Sequence, residues 1–361
     1  MAGGKTGMAG SGFGTIFRIT TWGESHGKAL GVVIDGCPAG LALKEADINK
    51  YMERRRPNAG KMSTKRKEPD EAEILSGVWD GRTTGTPISI IIRNEDAHSS
   101  DYSGLWDVYR PGHADFGFDA KYGFRDARGG GRSSGRETSA RVAAGAVALK
   151  LLSEIGISVH AEVESIGAYP AKSIEAEELI TGLRKEGDST GSTVFCCASG
   201  VPAGLGDPVF EKLDARLSSA IFSIGAVKAV EIGDGCAVSL ARGSANNDPF
   251  RIKDGKIVTA GNHAGGILGG ISNGSEILIR AYFKPTPSIS VPQDTVRKDG
   301  TETVITVKGR HDPVIGPRAA VVVECMTGLV LADSLLLNMS SRVDRIRSFY
   351  GASDSSEDAG Q

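Results

Sequence analysis

Residues 23–41 read GESHGKALGVVIDGCPAGL and residues 187–205 read GDSTGSTVFCCASGVPAGL, an ungapped match with eight of nineteen positions identical. Weaker echoes follow. GRTTGTPISI at 81–90 resembles GISNGSEILI at 270–279, and RPGHAD at 110–115 resembles GRHD at 309–312, each of the latter pair preceding a long apolar stretch. The alternative, turn vocabulary recurring in a glycine-rich chain, does not explain the shared order. The offsets imply a duplicated strand–helix unit of roughly 165–190 residues, and so a single domain in two halves, the second starting near 187.

Outward from the repeat, four stretches have helical patterning. Residues 44–56 place Ile48, Tyr51 and Met52 on one face with Pro57 as the stop, and 136–154 align Val142, Ala146, Leu149 and Leu152 ahead of Gly156. Asp207 reads as an N-cap with Pro208 at the first helical position, before Phe210, Leu213, Leu217 and Ile221 along one side. Residues 319–339 are apolar almost all round, which predicts a helix buried in the middle of the protein. Strand-like runs cover 88–93, 159–166, 193–198, 227–232, 277–283 and 303–308. The mixed order, without a steady βαβ rhythm, predicts an α+β fold over a doubly wound sheet.

Composition narrows the functional classes. Lys plus Arg total 42 and Asp plus Glu 44, a net charge of −2, unlike the basic excess of a general nucleic-acid binder. Any anion site must therefore be a local concentration of charge. Cysteines at 37, 196, 197, 236 and 325 form no CxxC spacing, which points to a reducing compartment. The most apolar stretch, 319–332, contains Glu324 and runs into Asp333, short of about 18 uncharged residues for a membrane span. With no apolar leader at the start, the expectation is a soluble cytoplasmic protein. Residues 1–7 read as an N-terminal extension and 351–361 as a disordered acidic tail, leaving 8–350 as the domain.

Within the duplication, His26 of GESHG faces Thr190 of GDSTG, so the turn itself does not demand an imidazole. In RPGHAD, Arg110, His113 and Asp115 bring together a cation, a proton-transfer group and a carboxylate that can orient it. GGGRSSGRE at 129–137 reads as an oxyanion cradle: glycine N–H groups, the Ser133 and Ser134 hydroxyls, Arg132 and Arg136 converge before a helix start. Arg136 and Glu137 follow Gly135 where a Walker A loop would have Lys and Ser or Thr. Seven cations lie among residues 54–67, a solvated face, a nucleic-acid patch or a site for a small polyanion. KPTPS at 284–288 and GRHD at 309–312 are polar clusters where strands end. No HExxH-type metal pattern occurs, and no metal is expected.

Together these motifs resemble the chorismate synthase family. GESHG, RPGHAD and GGGRSSGRET come in the family's order, with RRRP, SGVPAGLGDPVF, AVKAVEIGDG, NHAGGILGGISNG, KPTPSI and KGRHDP around them, from about residue 8 to about 345. The resemblance implies a β/α/β-layered subunit in a homotetramer. It also implies a phosphate-eliminating carbon–oxygen lyase that converts 5-enolpyruvylshikimate 3-phosphate to chorismate by 1,4-anti elimination. Reduced FMN is implied as cofactor, without net redox change and kept reduced by an external, NADP-linked reductant, since no flavin-reductase module is expected to follow. By resemblance, Arg132, Ser133, Ser134, Gly225, Ala226, Gly269, Lys284, Pro285, Thr286, Pro287, Ser288 and Arg310 would hold the flavin. Ser25, His26, Arg55, Lys61, Arg110 and Arg136 would hold the substrate. His26 would protonate the departing phosphate, His113 would sit by the flavin N1 edge, and Asp312 would assist near N5.

Two positions depart from the family's pattern. Lys61 stands where Arg is common, and Gly225 where Asn is common. The rival readings are a polyanion-binding module using residues 54–67, which would show a steep ionic-strength dependence on DNA, and an FMN redox enzyme, which would require net oxidation. The expected partners are a small-molecule substrate and a flavin reductant, with neither nucleic acid nor membrane.

Overall fold

A computed structural model describes residues 10–56, 70–94, 106–307 and 312–351. The expected extension and tail, Lys61 and Arg310 lie outside these residues, apart from Gly351. The first half runs β1 (Gly12–Phe13), β2 (Arg18–Gly23), β3 (Ala29–Asp35), α1 (Glu45–Arg55), β4 (Ala72–Ile74), a short ribbon of β5 (Val78–Trp79) and β6 (Arg82–Thr83), β7 (Ile88–Arg93), α2 (Asp115–Tyr122) and α3 (Thr138–Ser153). The second begins with β8 (Ser158–Ile166), β9 (Tyr169–Pro170), α4 (Ile174–Glu186), β10 (Ser192–Ser199), α5 (Leu213–Phe222), β11 (Val227–Ile232) and the one-turn α6 (Gly243–Asn246). It continues through ribbons β12 (Phe250–Lys253) with β13 (Lys256–Thr259) and β14 (Ile267–Leu268) with β15 (Ile271–Ser272) to β16 (Ile277–Phe283). A last ribbon, β17 (Gln293–Val296) with β18 (Glu302–Ile305), precedes α7 (Gly316–Asn338) and α8 (Val343–Tyr350).

Two five-stranded sheets, β1-β2-β3-β7-β4 and β11-β16-β10-β8-β9, pack on a central layer of α1, α3, α5 and α7. Every strand pairing in them is antiparallel. With the ribbons and β1, β9, α2, α4, α6 and α8 set aside, the order β2-β3-α1-β4-β7-α3 recurs as β8-β10-α5-β11-β16-α7, with neighbours β2-β3-β7-β4 matched by β8-β10-β16-β11. In the first half β2 runs directly into the repeated turn, whereas in the second β9 and α4 stand between β8 and that turn. The expected α+β, β/α/β-layered fold is the observed one.

Each sheet buries one face, as period-two alternation requires. In β7, Ile88, Ile90 and Ile92 are buried; in β10, Ser192, Val194, Cys196 and Ala198; in β16, Ile277, Ile279, Ala281 and Phe283. These side chains and the helices form one continuous core. The Cys196 thiol lies in it, and burial pushes its pKa up to about 12, making it an inert packing group. Strands β2 and β3 are less legible in sequence because Gly31 interrupts the pattern. The Trp22 indole lies over that glycine, 2.2 Å from where a Cβ would stand.

Three of the four expected helices form within two or three residues of their expected ends. The third begins late: residues 207–212 are not helical, and α5 starts at Leu213. The Leu213 N–H is taken by the Gly270 carbonyl at 2.9 Å, which ties the segment before it to the β14–β15 turn. Phe210 is consequently 91% exposed, whereas Leu213, Leu217 and Ile221 reach the core.

Helix α7 is longer than the apolar stretch suggested. Among the described residues it is the one helix long and apolar enough to cross a membrane, yet most of it is buried inside the fold. It packs against α3, α5, β8 and β10. A Cβ on Gly145 of α3 would lie 2.2 Å from Cys325 Cβ, and one on Gly328 of α7 would lie 2.7 Å from Leu149. The two axes approach only because those side chains are missing.

Gly145→Ala should therefore destabilise the protein by about 1–3 kcal/mol, despite the roughly 1 kcal/mol that Ala gains in helix propensity. Gly182→Ala in α4, where an added Cβ meets only Glu186 Oε1 at 3.9 Å, should stabilise it. Chemical denaturation of the two variants reads the difference, and the same sign for both would contradict the close approach.

Candidate active site

The GESHG turn joins β2 to β3 and closes with Gly27 N–H on the Glu24 carbonyl at 3.1 Å. Ser25 is buried, and its hydroxyl lies 2.9 Å from His26 Nδ1. The His26 ring sits against Gly129, where a Cβ would stand 2.4 Å from Nδ1 and 3.0 Å from Ser25 Oγ. The first glycine of GGGRSSG is thus the floor under the imidazole. Asn94, just after β7, donates from Nδ2 to the Glu24 and Gly27 carbonyls at 3.1 and 2.8 Å.

The cradle loop consists of two 3-10 turns, Gly131–Ser133 and Gly135–Glu137, leading into α3. Ser134 caps the second by accepting from Arg136 N–H at 3.3 Å, and Ser133 Oγ donates to the Gly130 carbonyl at 2.6 Å. Arg132 reaches back to β2, donating to Thr21 Oγ1 at 2.7 Å and to the Gly23 carbonyl at 3.0 Å. It straps the loop to the base of the His26 turn.

Behind the loop lies a buried carboxylate. Asp70, fully buried and at φ +48, accepts from Arg55 Nη1 at 2.7 Å and from Arg136 Nη1. Arg55 also donates to Thr138 Oγ1 at 3.0 Å and to the Gly135 carbonyl at 2.8 Å, while Arg136 Nε donates to Asn94 Oδ1 at 2.9 Å. Two buried guanidiniums, those of Arg55 and Arg136, thus meet at one buried carboxylate beneath the loop.

The RPGHAD turn adds a second cluster. Arg110 holds Asp115 with two side-chain bonds, Nε to Oδ2 at 2.8 Å and Nη2 to Oδ1 at 2.7 Å, and reaches the Gly129 carbonyl at 3.3 Å. His113 Nδ1 lies 2.9 Å from Asp115 Oδ1 and 3.1 Å from Arg110 Nη2. Burial alone would raise the Asp115 carboxyl, but hydrogen bonds from Arg110 and His113, and their charges, outweigh it and hold its pKa well below the ordinary value. The ionised carboxylate is the natural acceptor for His113 Nδ1–H, which leaves Nε2 to exchange a proton with a ligand.

The KPTPS segment lies against this turn from the second half. Lys284 Nζ donates to the Gly112 carbonyl at 2.6 Å, and Pro287 is 3.0 Å from where a Gly112 Cβ would be. Burial, and then the nearby Lys228, lower the Lys284 pKa. Lys284 N–H donates to the carbonyl of Ala226, which has φ +74 and follows Gly225. Thr286 Oγ1 donates to the Asp312 carbonyl at 2.9 Å, and Asp312 Oδ2 accepts from Arg318 at 2.8 Å. Pro285 lies between these contacts, and Ser288 is buried.

Ser25, His26, Arg110, His113, Arg132 to Ser134, Arg136 and Arg55 thus share one contact network, with Gly225, Ala226, Lys284 to Thr286 and Asp312 adjoining it through Gly112. Gly269 sits apart in the β14–β15 turn beside Gly270, where an added Cβ would meet Lys212. Asp70 and Asn94 escape the sequence reading: Asp70 is hidden among the acids of KEPDEAE and Asn94 ends an apolar strand. Of the basic run, Lys61, Lys65, Arg66 and Lys67 lie outside the described residues, while Arg54 pairs with Glu324 at 2.6 and 2.8 Å and Arg55 is buried.

The fold and these gathered imidazoles, hydroxyls and guanidiniums define an α+β protein with a polar site suited to a multiply charged small anion. The family model described as chorismate synthase matches residues 17–336. A relative of that name from Lachnospira eligens is 53% identical over 364 aligned residues, covering 95% of this chain and 100% of the relative. Another, from Methanocella arvoryzae, is 52% identical, covering 91% and 95%. A solved structure titled "Crystal Structure of Chorismate Synthase" superposes with a TM-score of 0.74 at 32% identity, covering 94% of this chain and 97% of its own. The chain belongs to the chorismate synthase family.

Because Asp115 titrates below its unfolded value of about 3.9, its contribution to stability is complete above about pH 5 and disappears as pH falls through the folded pKa. Asp115→Asn should therefore cost about 3 kcal/mol at pH 7 and progressively less below about pH 4. Urea denaturation across this range measures it; a loss independent of pH would contradict the ionised pairing.

Proposed function

We propose that the chain eliminates phosphate from 5-enolpyruvylshikimate 3-phosphate by a 1,4-anti route to give chorismate, as a carbon–oxygen lyase using reduced FMN without net redox change. The observation that carries the reading is the His26–Ser25 pair, seated on a glycine cradle beside buried cations, in a chain of this family. We further propose one domain over residues 8–350, cytoplasmic and homotetrameric, with reduced flavin supplied by an external reductant.

The donor set fits a flavin that has its own phosphate. An added Cβ on Gly131 or Gly225 would meet nothing within 4 Å, so the backbone lies open there, with the Ser133 hydroxyl and the Lys284 ammonium on neighbouring segments. In this reading Arg132, Ser133, Ser134, Gly225, Ala226, Gly269, Lys284 to Ser288 and Arg310 hold the flavin. The chemistry a bound reduced flavin would supply is transient electron donation to the substrate, with no net redox change.

The chain's own groups do the rest. Arg55, Lys61, Arg110 and Arg136 provide a positive field for two carboxylates and a phosphate, strengthened by the low dielectric around the buried members. His26, oriented by the Ser25 hydroxyl, gives a proton to the departing phosphate oxygen. Asp115 orients His113, which would face the N1 edge of a bound flavin, and Asp312, held by Arg318, would face its N5.

Anaerobic assay with catalytic reduced FMN should give chorismate and phosphate in equal amounts, with no nicotinamide consumed per turnover. Stoichiometric flavin oxidation without oxygen would favour a redox enzyme instead. His26→Ala should lower kcat by about 10²- to 10⁴-fold, while Thr190→Ala, in the equivalent turn, should leave it within a few-fold. Equal losses accompanied by equal losses of thermal stability would make both residues mere turn supports.

A further inference from the structure

We infer that Asn94 is a positioning residue for the reaction: its side-chain amide brackets the Ser25–His26 turn and sets it against Arg136. The inference rests on the proposed role of His26 and adds a residue to which neither motif nor resemblance gave a task.

The amide joins three groups. Nδ2 donates to the carbonyls of Glu24 and Gly27, at 3.1 and 2.8 Å, which flank the Ser25–His26 pair on both sides. Oδ1 accepts from Arg136 Nε at 2.9 Å, and the Asn94 N–H donates to the Lys28 carbonyl at 3.2 Å. Arg136 is itself fixed by the buried Asp70 and by the Arg93 carbonyl at 3.3 Å. A rigid line therefore runs from a buried carboxylate, through a guanidinium and an amide, to the turn that carries the imidazole. Only a side-chain amide offers two donors and an acceptor on so short a stem.

The duplication supplies a control within the chain. Ala29 pairs with Arg93 in the first half and Thr193 with Tyr282 in the second, so the counterpart of Asn94 is Phe283, opposite Ser192. Phe283 is buried and has no amide to offer the equivalent turn. That turn is held by Gly167 N–H on the Gly191 carbonyl and Thr190 N–H on the Pro313 carbonyl, both 2.9 Å, and by the Ser189 hydroxyl on the Thr286 carbonyl at 2.8 Å. Among the described residues, no side-chain amide spans the turn where position 190 is Thr, and one does where position 26 is His.

Asn94→Asp and Asn94→Ala separate the roles. Asp keeps an acceptor for Arg136 but has no donor for the two turn carbonyls; Ala removes both. Both variants should lower kcat by about 10- to 100-fold, the penalty for a misplaced reacting group, with substrate KM within about threefold. The FMN Kd and Tm should stay close to wild type. Independently of activity, hydrogen exchange of residues 24–28 should accelerate by about tenfold in both, with residues 187–191 unaffected. Restoration of wild-type kcat by Asp would show that the amide serves Arg136 alone and would overturn the inference. So would unchanged exchange at 24–28. An inactive wild type whose exchange still responds would refute the proposed reaction while leaving the bracket in place.

Discussion

Everything in this molecule depends on how closely α3 and α7 approach. The contacts at Gly145 and Gly328 bring the Cys325 side chain onto one helix backbone and Leu149 onto the other. Helix α3 comes late in the first half and α7 late in the second, followed only by α8, so this contact joins the halves. The sheets then close from outside, with α1 beside α3 and α5 beside α7. Because interiors pack at crystal-like density, a methyl group inserted here has nowhere to go without moving a sheet.

The buried acids of α7 convert that packing into register. Asp333 accepts the backbone N–H groups of Thr15, Ile16 and Phe17 at 2.9, 2.7 and 2.9 Å and pairs with Arg216 of α5. Glu324 takes both Arg54 donors from the end of α1 and the Ala161 N–H of β8 at 2.8 Å. Each carboxylate thus ties the first half to the second, at a desolvation cost offset by several short bonds. Arg54 lies next to Arg55, so the anchoring of α1 reaches directly into the cluster around Asp70. Stability and site geometry share these charges.

The α+β class was legible in the mixed order of strand-like and helical runs, while the β/α/β layering came with the family resemblance. The sequence also showed the loops that converge, since glycine-rich turns with His, Ser and Arg leave few other uses. Hidden from it were features set by long-range partners. The start of α5 depends on a carbonyl at Gly270, and the inward direction of Arg55 depends on an aspartate 15 residues later. Asn94 looks like an ordinary strand end until the paired strand brings Glu24 and Gly27 to it. Composition could give the number of cations but not their burial, and burial distinguishes an anchored cluster from a solvated patch.

The central claim, which rests on the proposed function, is that the turn with His26, and not the equivalent turn with Thr190, faces the departing phosphate. A crystal structure with oxidised FMN and substrate bound tests it directly. The account predicts the departing phosphate within about 2.6–3.2 Å of a His26 ring nitrogen, in front of the Gly129–Arg136 loop. A phosphate bound instead at the Thr190 turn, or out of reach of both turns, would contradict it.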